Sequence, residues 1–305
     1  MYSTSKRILV ALSSHIPSLK PLDYLLSLPY FLKANKRFPF LSNSEDFSFN
    51  DFIFSKMINN RWSALERACC DKEYAKIVAR GLDNKVKIPK TLCIIIINSG
   101  TTADEIYKSI VPFAGVKCIA KPAHSSGQPL FLNKRITFDE VGKFLAHAKL
   151  DYFHTARETQ YKGLQKKIIV EQLIEENITD YKFFCAGGKP LFCQIDIDRY
   201  VGHKRVVVSV PDFLPMKVQL GNHPHINEIA VPDDLAGMLD IVEALAAPFD
   251  FVRLDLYHTN AGTYFSEFTF TPGAAADRFS DKAFERTFYQ RIEEKLGSRS
   301  LQFVP

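Results

Sequence analysis

The sequence predicts an α+β protein. Two observations lead there. Strand-like runs and stretches at helical spacing alternate along most of the chain, and several neighbouring strands are joined by tight turns, notably Gly187-Gly188. Antiparallel hairpins mixed with helices argue against a doubly wound parallel sheet.

The elements follow in chain order. Residues 1–68 read as short helical pieces, Leu22–Lys33 and Phe49–Met57, joined by Pro-, Ser- and Asn-containing turns. Strands are expected at Leu92–Ile97, Lys117–Lys121, Ile168–Leu173, Tyr181–Cys185, Leu191–Ile197, Arg205–Val210, Phe251–Tyr257 and Thr263–Phe270. Helices are expected at Ala103–Val111, Phe138–Leu150, Asp234–Ala247 and Asp281–Leu296. The second of these carries Phe138, Val141, Phe144, Leu145 and Ala148 at helical spacing.

A chain of 305 residues, 46% hydrophobic and 24% charged, is long enough for one large or two smaller domains with a real core. No apolar run approaches the ~20 residues of a membrane span. The apolar piece Ile8–Leu12 is short for a signal peptide, so the expected location is cytoplasmic. The six cysteines form no CxxC, and four of them (Cys93, Cys118, Cys185 and Cys193) lie in strand-like runs, so neither a disulfide framework nor a zinc site is expected. A net charge of +5, spread along the chain, suits acidic ligands such as nucleotides or uronic acids and does not indicate a nucleic-acid groove.

The stretch FVRLDLYHTNAGTYFSEFTFTPG, Phe251 to Gly273, reads as a β-hairpin. A turn centred on Ala261 places Val252 opposite Phe270, Leu254 opposite Phe268 and Leu256 opposite Ser266 on a buried face. On the other face Arg253 meets Thr269 and Asp255 meets Glu267. Like charges directly opposite each other repel by roughly 0.2–1 kcal/mol when exposed. Two readings stay open: both carboxylates point into water, or a cation sits between them. Magnesium is commonly held by one or two carboxylates plus phosphate oxygens.

Other segments carry chemistry in a particular order. KCIAKPAHSSG ends a strand at Lys121 and enters a loop of small polar residues, a composition suited to wrapping phosphates. KKIIVEQLIEE runs an apolar strand into Glu171, and DYKFFCAGGKP places Lys182 on another strand. Arg-x-Asp and Glu-x-Thr-x-x-Pro-Gly follow in the hairpin. Each of these residues alone could be surface charge.

Together, TFDEVGKFL, RETQYKGLQKKIIVEQLI, DYKFFCAGGKPLF, FVRLDLY and FSEFTFTPG resemble the TupA-like ATP-grasp family, named for teichuronopeptide synthesis. SFNDFIFSKM and CDKEYAKIVARGL fit the same family, so the resemblance spans roughly residues 30 to 290. It implies an ATP-grasp fold: two α+β lobes enclosing a nucleotide, residues 69–167 and 168–305, behind a mostly helical extension, 1–68.

The resemblance implies these roles. Lys72 and Lys121 would hold the α- and β-phosphates of ATP, and His124, Ser125, Ser126 and Gly127 would close over them. Glu171, Gln172 and Leu173 would form the hinge at the adenine edge, with backbone groups reading the base. Asp180 would meet the ribose hydroxyls, and Lys182 would point to the cleft. Asp255 and Glu267 would bind Mg²⁺, with Thr269 where the superfamily usually has asparagine, and Arg253 would sit beside the transferred phosphoryl group. On this reading, Asp255→Asn or Glu267→Gln without metal would be neutral or slightly stabilising.

The implied activity is ATP-dependent ligation of a carboxylate to an amine, in surface polysaccharide biosynthesis. The carboxylate would belong to a uronic acid or acidic peptide, the amine to an amino acid or amino sugar. A kinase acting on a sugar or polyol hydroxyl is the alternative. His223-Pro224-His225 reads mainly as an exposed loop, and His203, Lys204 and Arg205 as a basic cluster that could meet phosphate or a carboxylate.

Overall fold

The computed structural model describes Ser13 and residues 16–297; the N-terminal piece Ile8–Leu12 lies outside that range. Helices α1 (Lys20–Asn35), α2 (Phe49–Ile58), α3 (Ala64–Cys69) and α4 (Lys72–Leu82) come first, followed by strand β1 (Thr91–Ile96), helix α5 (Ala103–Ile110), β2 (Cys118–Pro122), β3 (Leu130–Phe131), α6 (Phe138–Ala148) and the single turn α7 (Phe153–Ala156). Then come β4 (Lys167–Gln172), β5 (Asp180–Ala186), β6 (Lys189–Ile197), β7 (Lys204–Ser209), α8 (Leu235–Ala246), β8 (Phe251–Thr259), β9 (Gly262–Thr269) and α9 (Lys282–Leu296). Every expected strand and helix is present within a few residues. Unforeseen were α3, α4, the single turn α7 and the two-residue β3.

The strands form two antiparallel sheets, one ordered β1-β4-β2-β3 and the other β7-β6-β5-β8-β9. β4 pairs with β1 and β2, so the chain passes between sheets after Gln172. A lobe boundary at 167/168 therefore cuts one strand away from its sheet. Helices α5 and α6 cover one face of the four-stranded sheet, where Ile106, Ile110, Val141, Phe144 and Leu145 pack with Cys118, Ala120, Ile168 and Val170.

The five-stranded sheet is covered on both faces. Tyr181, Phe183, Cys185, Val252 and Leu254 pack under α4 and α8. The alternate residues Phe184, Ala186, Phe192 and Phe251 pack against Phe49, Phe52 and Ile53 of α2 and Phe288 and Ile292 of α9. Period-2 side-chain alternation puts neighbouring residues into opposite cores. The N-terminal helices thus belong to the core of the second sheet. The β5–β6 turn holds Gly187 and Gly188 at φ of 54° and 76°, and a Cβ on Gly187 would lie 2.9 Å from the Lys295 carbonyl oxygen of α9. Side chains fit there neither conformationally nor sterically.

In the β8–β9 hairpin, Arg253 pairs with Thr269, Leu254 with Phe268 and Asp255 with Glu267, as expected. Beyond Asp255 a bulge shifts the register, so Leu256 meets Phe265 and not Ser266. One residue of β9 is extra, which keeps Phe265 and Phe268 in the same core and turns Ser266 toward the opposite side. Among the described residues, no helix is long and apolar enough to cross a membrane.

Candidate active site

A cleft runs between the two sheets. One wall comes from α4, β2, β4 and the loop after β2: Lys72, Lys76, Lys121, Ser125, Ser126, Gly127 and Glu171 line it. The other comes from the second sheet, through Arg199, Tyr200, Tyr257, Ser266 and Glu267. The cleft continues past Glu171 into a pocket lined by Ile119, Phe131, Gln172, Leu173, Ile174 and Asp180.

Helix α4 starts at Asp71, whose side chain accepts from the Glu73 N–H, and it sends Lys72 and Lys76 to one face by i,i+4 spacing. Lys76 and Lys121 both ion-pair with the buried Glu171. Burial alone would raise the Glu171 pKa, but the two ammonium groups bring it down to about 2. Lys72 donates to the Ser125 carbonyl and lies 3.7 Å from Glu267. Gly127 sits at φ 80°, a left-handed turn in the loop. The Ser125 hydroxyl is buried and lacks a hydrogen-bond partner.

His124 departs from its expected role. Its Nδ1 accepts from the Lys167 N–H, so Nε2 carries the proton and donates to the Ala148 carbonyl at 2.9 Å. Burial holds the imidazole neutral, with a pKa of about 4. With both nitrogens engaged inside the first lobe, it anchors the loop and offers nothing to a phosphate. The backbone amides of Gln172 and Leu173 are also committed, to the carbonyls of Lys90 and Lys117. Neither N–H is free to read a base.

Beneath the second wall lies a buried lattice of charge. Asp255 accepts a two-pronged pair from Arg253, at 2.7 and 2.8 Å, and lies 3.3 Å from the Lys182 ammonium. Lys182 is also 3.0 Å from Asp180 and 3.7 Å from Asp196. Arg199 holds Asp180 at 2.9 Å, and Arg205 and Gln194 hold Asp196. Burial opposes the charge on Asp255, yet Arg253 and Lys182 keep its carboxyl below the usual range. The same burial opposes the Lys182 charge, and Asp180, Asp255 and Asp196 outweigh it and raise its pKa.

Lys182 therefore lies under the cleft floor and does not line it, and Asp180 is shared between two cations. Arg253 bridges Asp255 to Thr269, at 3.2 Å, and to Glu267, at 3.7 Å. The hairpin carboxylates do face each other, and protein cations already separate them. Asp255 is enclosed, whereas Glu267 remains 27% exposed toward the cleft.

Lys76, Arg199, Tyr200, Tyr257 and Asp196 escaped the residue-by-residue reading, whereas Arg205, read in a basic cluster that could meet a carboxylate, pairs with Asp196. Lys72 and Lys76 one helical turn apart were a usable signal for α4. Arg199 and Tyr200 reach the cleft through the β6–β7 turn, which no periodicity marks.

A family model described as TupA-like ATPgrasp matches residues 70–293. Among solved structures, a D-alanine–D-alanine ligase from Bacillus anthracis is 14% identical, with a TM-score of 0.40 over 75% of this chain and 64% of that one. The same ligase complexed with ATP is 16% identical, with a TM-score of 0.36 over 68% and 55%. VanG D-Ala:D-Ser ligase from Enterococcus faecalis is 13% identical, with a TM-score of 0.37 over 68% and 54%. The chain spans between half and two thirds of the length of these structures. No curated protein matches it.

Proposed function

The chain belongs to the TupA-like ATP-grasp family, and from that premise we propose that it is an ATP-dependent carboxylate–amine ligase. The observation that carries this reading is the cleft itself: Lys72 and Lys76 from α4 and Lys121 from β2 converge near Glu267, beside the unpartnered buried hydroxyl of Ser125. A polyphosphate would supply the acceptor that the Ser125 hydroxyl lacks and would share the ammonium groups of Lys72 and Lys121 with their present partners Glu267 and Glu171. Lys72, Lys121, Ser125 and the Ser126-Gly127 backbone would hold the phosphates of ATP. The base would lie along Ile119, Phe131 and Leu173, next to Gln172.

Mg²⁺ fits the half-buried, cleft-facing carboxylate of Glu267 together with phosphate oxygens, a donor set of the usual hard-oxygen kind. Asp255 and Thr269 would join it only by giving up Arg253. Bound there, the ion would neutralise charge on the transferred phosphoryl group.

In the proposed reaction an acceptor carboxylate oxygen attacks the terminal phosphorus of ATP, ADP leaves, and an acyl phosphate forms. An amine then attacks the acyl carbon and expels inorganic phosphate, leaving an amide. Arg253 and Lys182 set the positive potential under the reacting phosphoryl group, and alignment of the substrates does most of the rest. We assign a uronic-acid-containing surface glycan or its precursor as the carboxylate and an amino acid or amino sugar as the amine, acting in the cytoplasm. Incubation with ATP, Mg²⁺ and a panel of uronic-acid glycans and amines tests this by phosphate release and product mass. A ligase releases phosphate only when both substrates are present; phosphate retained on the product would establish a kinase instead.

A further inference from the structure

A second concavity lies away from the cleft, where the end of α1 and the following loop meet α9. Arg37, Arg278, Lys282 and Arg286 line it together with Phe40, Asp46, Ser48 and Glu285. Its acidic groups are already satisfied. Glu285 accepts from the Ser48 hydroxyl and the Asn50 N–H, and Asp46 pairs with Arg286 at 2.7 Å. Arg37 is locked by a two-pronged pair with the buried Asp51, at 2.7 Å for each contact, and its guanidinium lies 4.4 Å from the Phe40 ring centre.

Arg278 and Lys282 are different. Both are exposed, and among the described residues neither has a carboxylate within ion-pairing distance. The walls are rigid: Asn35 donates to the Ala275 carbonyl, and Asn50 donates to Asn35 and to the Asp277 carbonyl. Unpaired cations on a braced pocket rim, next to an aromatic ring that is 37% exposed, recognise a ligand with anionic groups and an apolar ring face.

We propose that this pocket binds an acidic glycan, with sugar carboxylates on Arg278 and Lys282 and a sugar ring against Phe40. The chemistry of carboxylate with guanidinium is shared by acidic peptides, and the aromatic platform favours the sugar. The site goes beyond the ligase reading and needs no ATP, so the two can fail separately.

The test uses the full chain without nucleotide and a fluorescently labelled oligogalacturonide, read by anisotropy. Binding should weaken as salt rises, because exposed charge pairs are screened. Arg278→Glu with Lys282→Glu should weaken it at least tenfold while leaving the ATP–Mg²⁺ thermal shift intact. Both residues are exposed, so the variant should keep the wild-type melting temperature. Phe40→Ala should weaken binding severalfold. No binding at low salt, unchanged affinity in the charge-reversed variant, equal affinity for a neutral maltooligosaccharide, or tighter binding of poly-L-glutamate would each overturn the proposal.

Discussion

One face of the five-stranded sheet has two halves made of the same backbone. Along β5, Phe184 and Ala186 sit under α2 and α9, and two residues back Lys182 and Asp180 sit in the charged lattice. β6 repeats this with Phe192 against Gln194 and Asp196, and β8 with Phe251 against Arg253 and Asp255. Both halves are buried, but they are stabilised in opposite ways. The aromatic half gains by leaving water; edge-on ring contacts such as Phe49 with Phe251, centres 5.7 Å apart, add to that gain. The charged half loses hydration and recovers it only through complete pairing. A substitution that is mild in one half should be severe in the other.

The largest expected effect tests that asymmetry. Asp255→Asn should destabilise the metal-free protein by about 3–5 kcal/mol, because it leaves the buried cations Arg253 and Lys182 short of a carboxylate. It should also abolish turnover. Relief of hairpin repulsion predicts the reverse, neutrality or slight stabilisation; denaturant unfolding without Mg²⁺ decides between them, and a neutral result would mean that the lattice contributes nothing to folding.

Phe184→Ala should cost a similar ~3–5 kcal/mol through a cavity in the aromatic half. Its ADP-release rate at a temperature where the variant is folded should stay within a few-fold of the parent. A selective collapse of activity would tie the aromatic half to catalysis.

Two buried glutamates sharpen the contrast between paired and unpaired charge. Glu171 has two lysines, whereas Glu158 has the hydroxyl of Thr271 and the amide of Gln160. Burial therefore pushes the Glu158 carboxyl up to about 7, with these hydrogen bonds only partly opposing it. A raised carboxyl pKa favours the protonated folded state, so this contribution is full below pH 4.5 and is lost as pH rises toward 7. The loss should be roughly 3 kcal/mol. Glu158→Gln should be free of it, which unfolding curves for both proteins at pH 5 and pH 8 would reveal. Glu171 runs the other way: its contribution is present above pH 4.5 and lost as pH falls toward 2.

ATP with Mg²⁺ should stabilise the parent by about 2.7 kcal/mol at a hundredfold excess over Kd. Lys121→Ala should remove most of that shift, and an undiminished shift would take Lys121 out of the site. The smallest effect belongs to the exposed pair Lys189–Glu243, at 2.6 Å. Lys189→Ala should change stability by less than about 0.5 kcal/mol in thermal melts, which separates surface pairing from the buried lattice.

The sequence by itself determined the order of most elements, the α+β class and the hairpin register from Arg253 to Asp255, because side-chain periodicity and turn residues act over a few positions; Lys72 and Lys121 were marked by the family resemblance and not by periodicity. Tertiary structure decided what those side chains face. His124 is polar in a polar loop, but only the packing of Lys167 and Ala148 around it fixes both ring nitrogens. Ser266 turns to the cleft because a bulge keeps Phe265 and Phe268 in one core, a demand set by α4 and α8. Asp255 and Glu267 oppose each other as read, yet Lys182 from β5 and Arg253 from the hairpin itself determine whether that opposition costs or stabilises. Local pattern assigns a residue to a face; the partner across the fold, tens of residues away in the chain, sets its charge, its solvation and its chemistry.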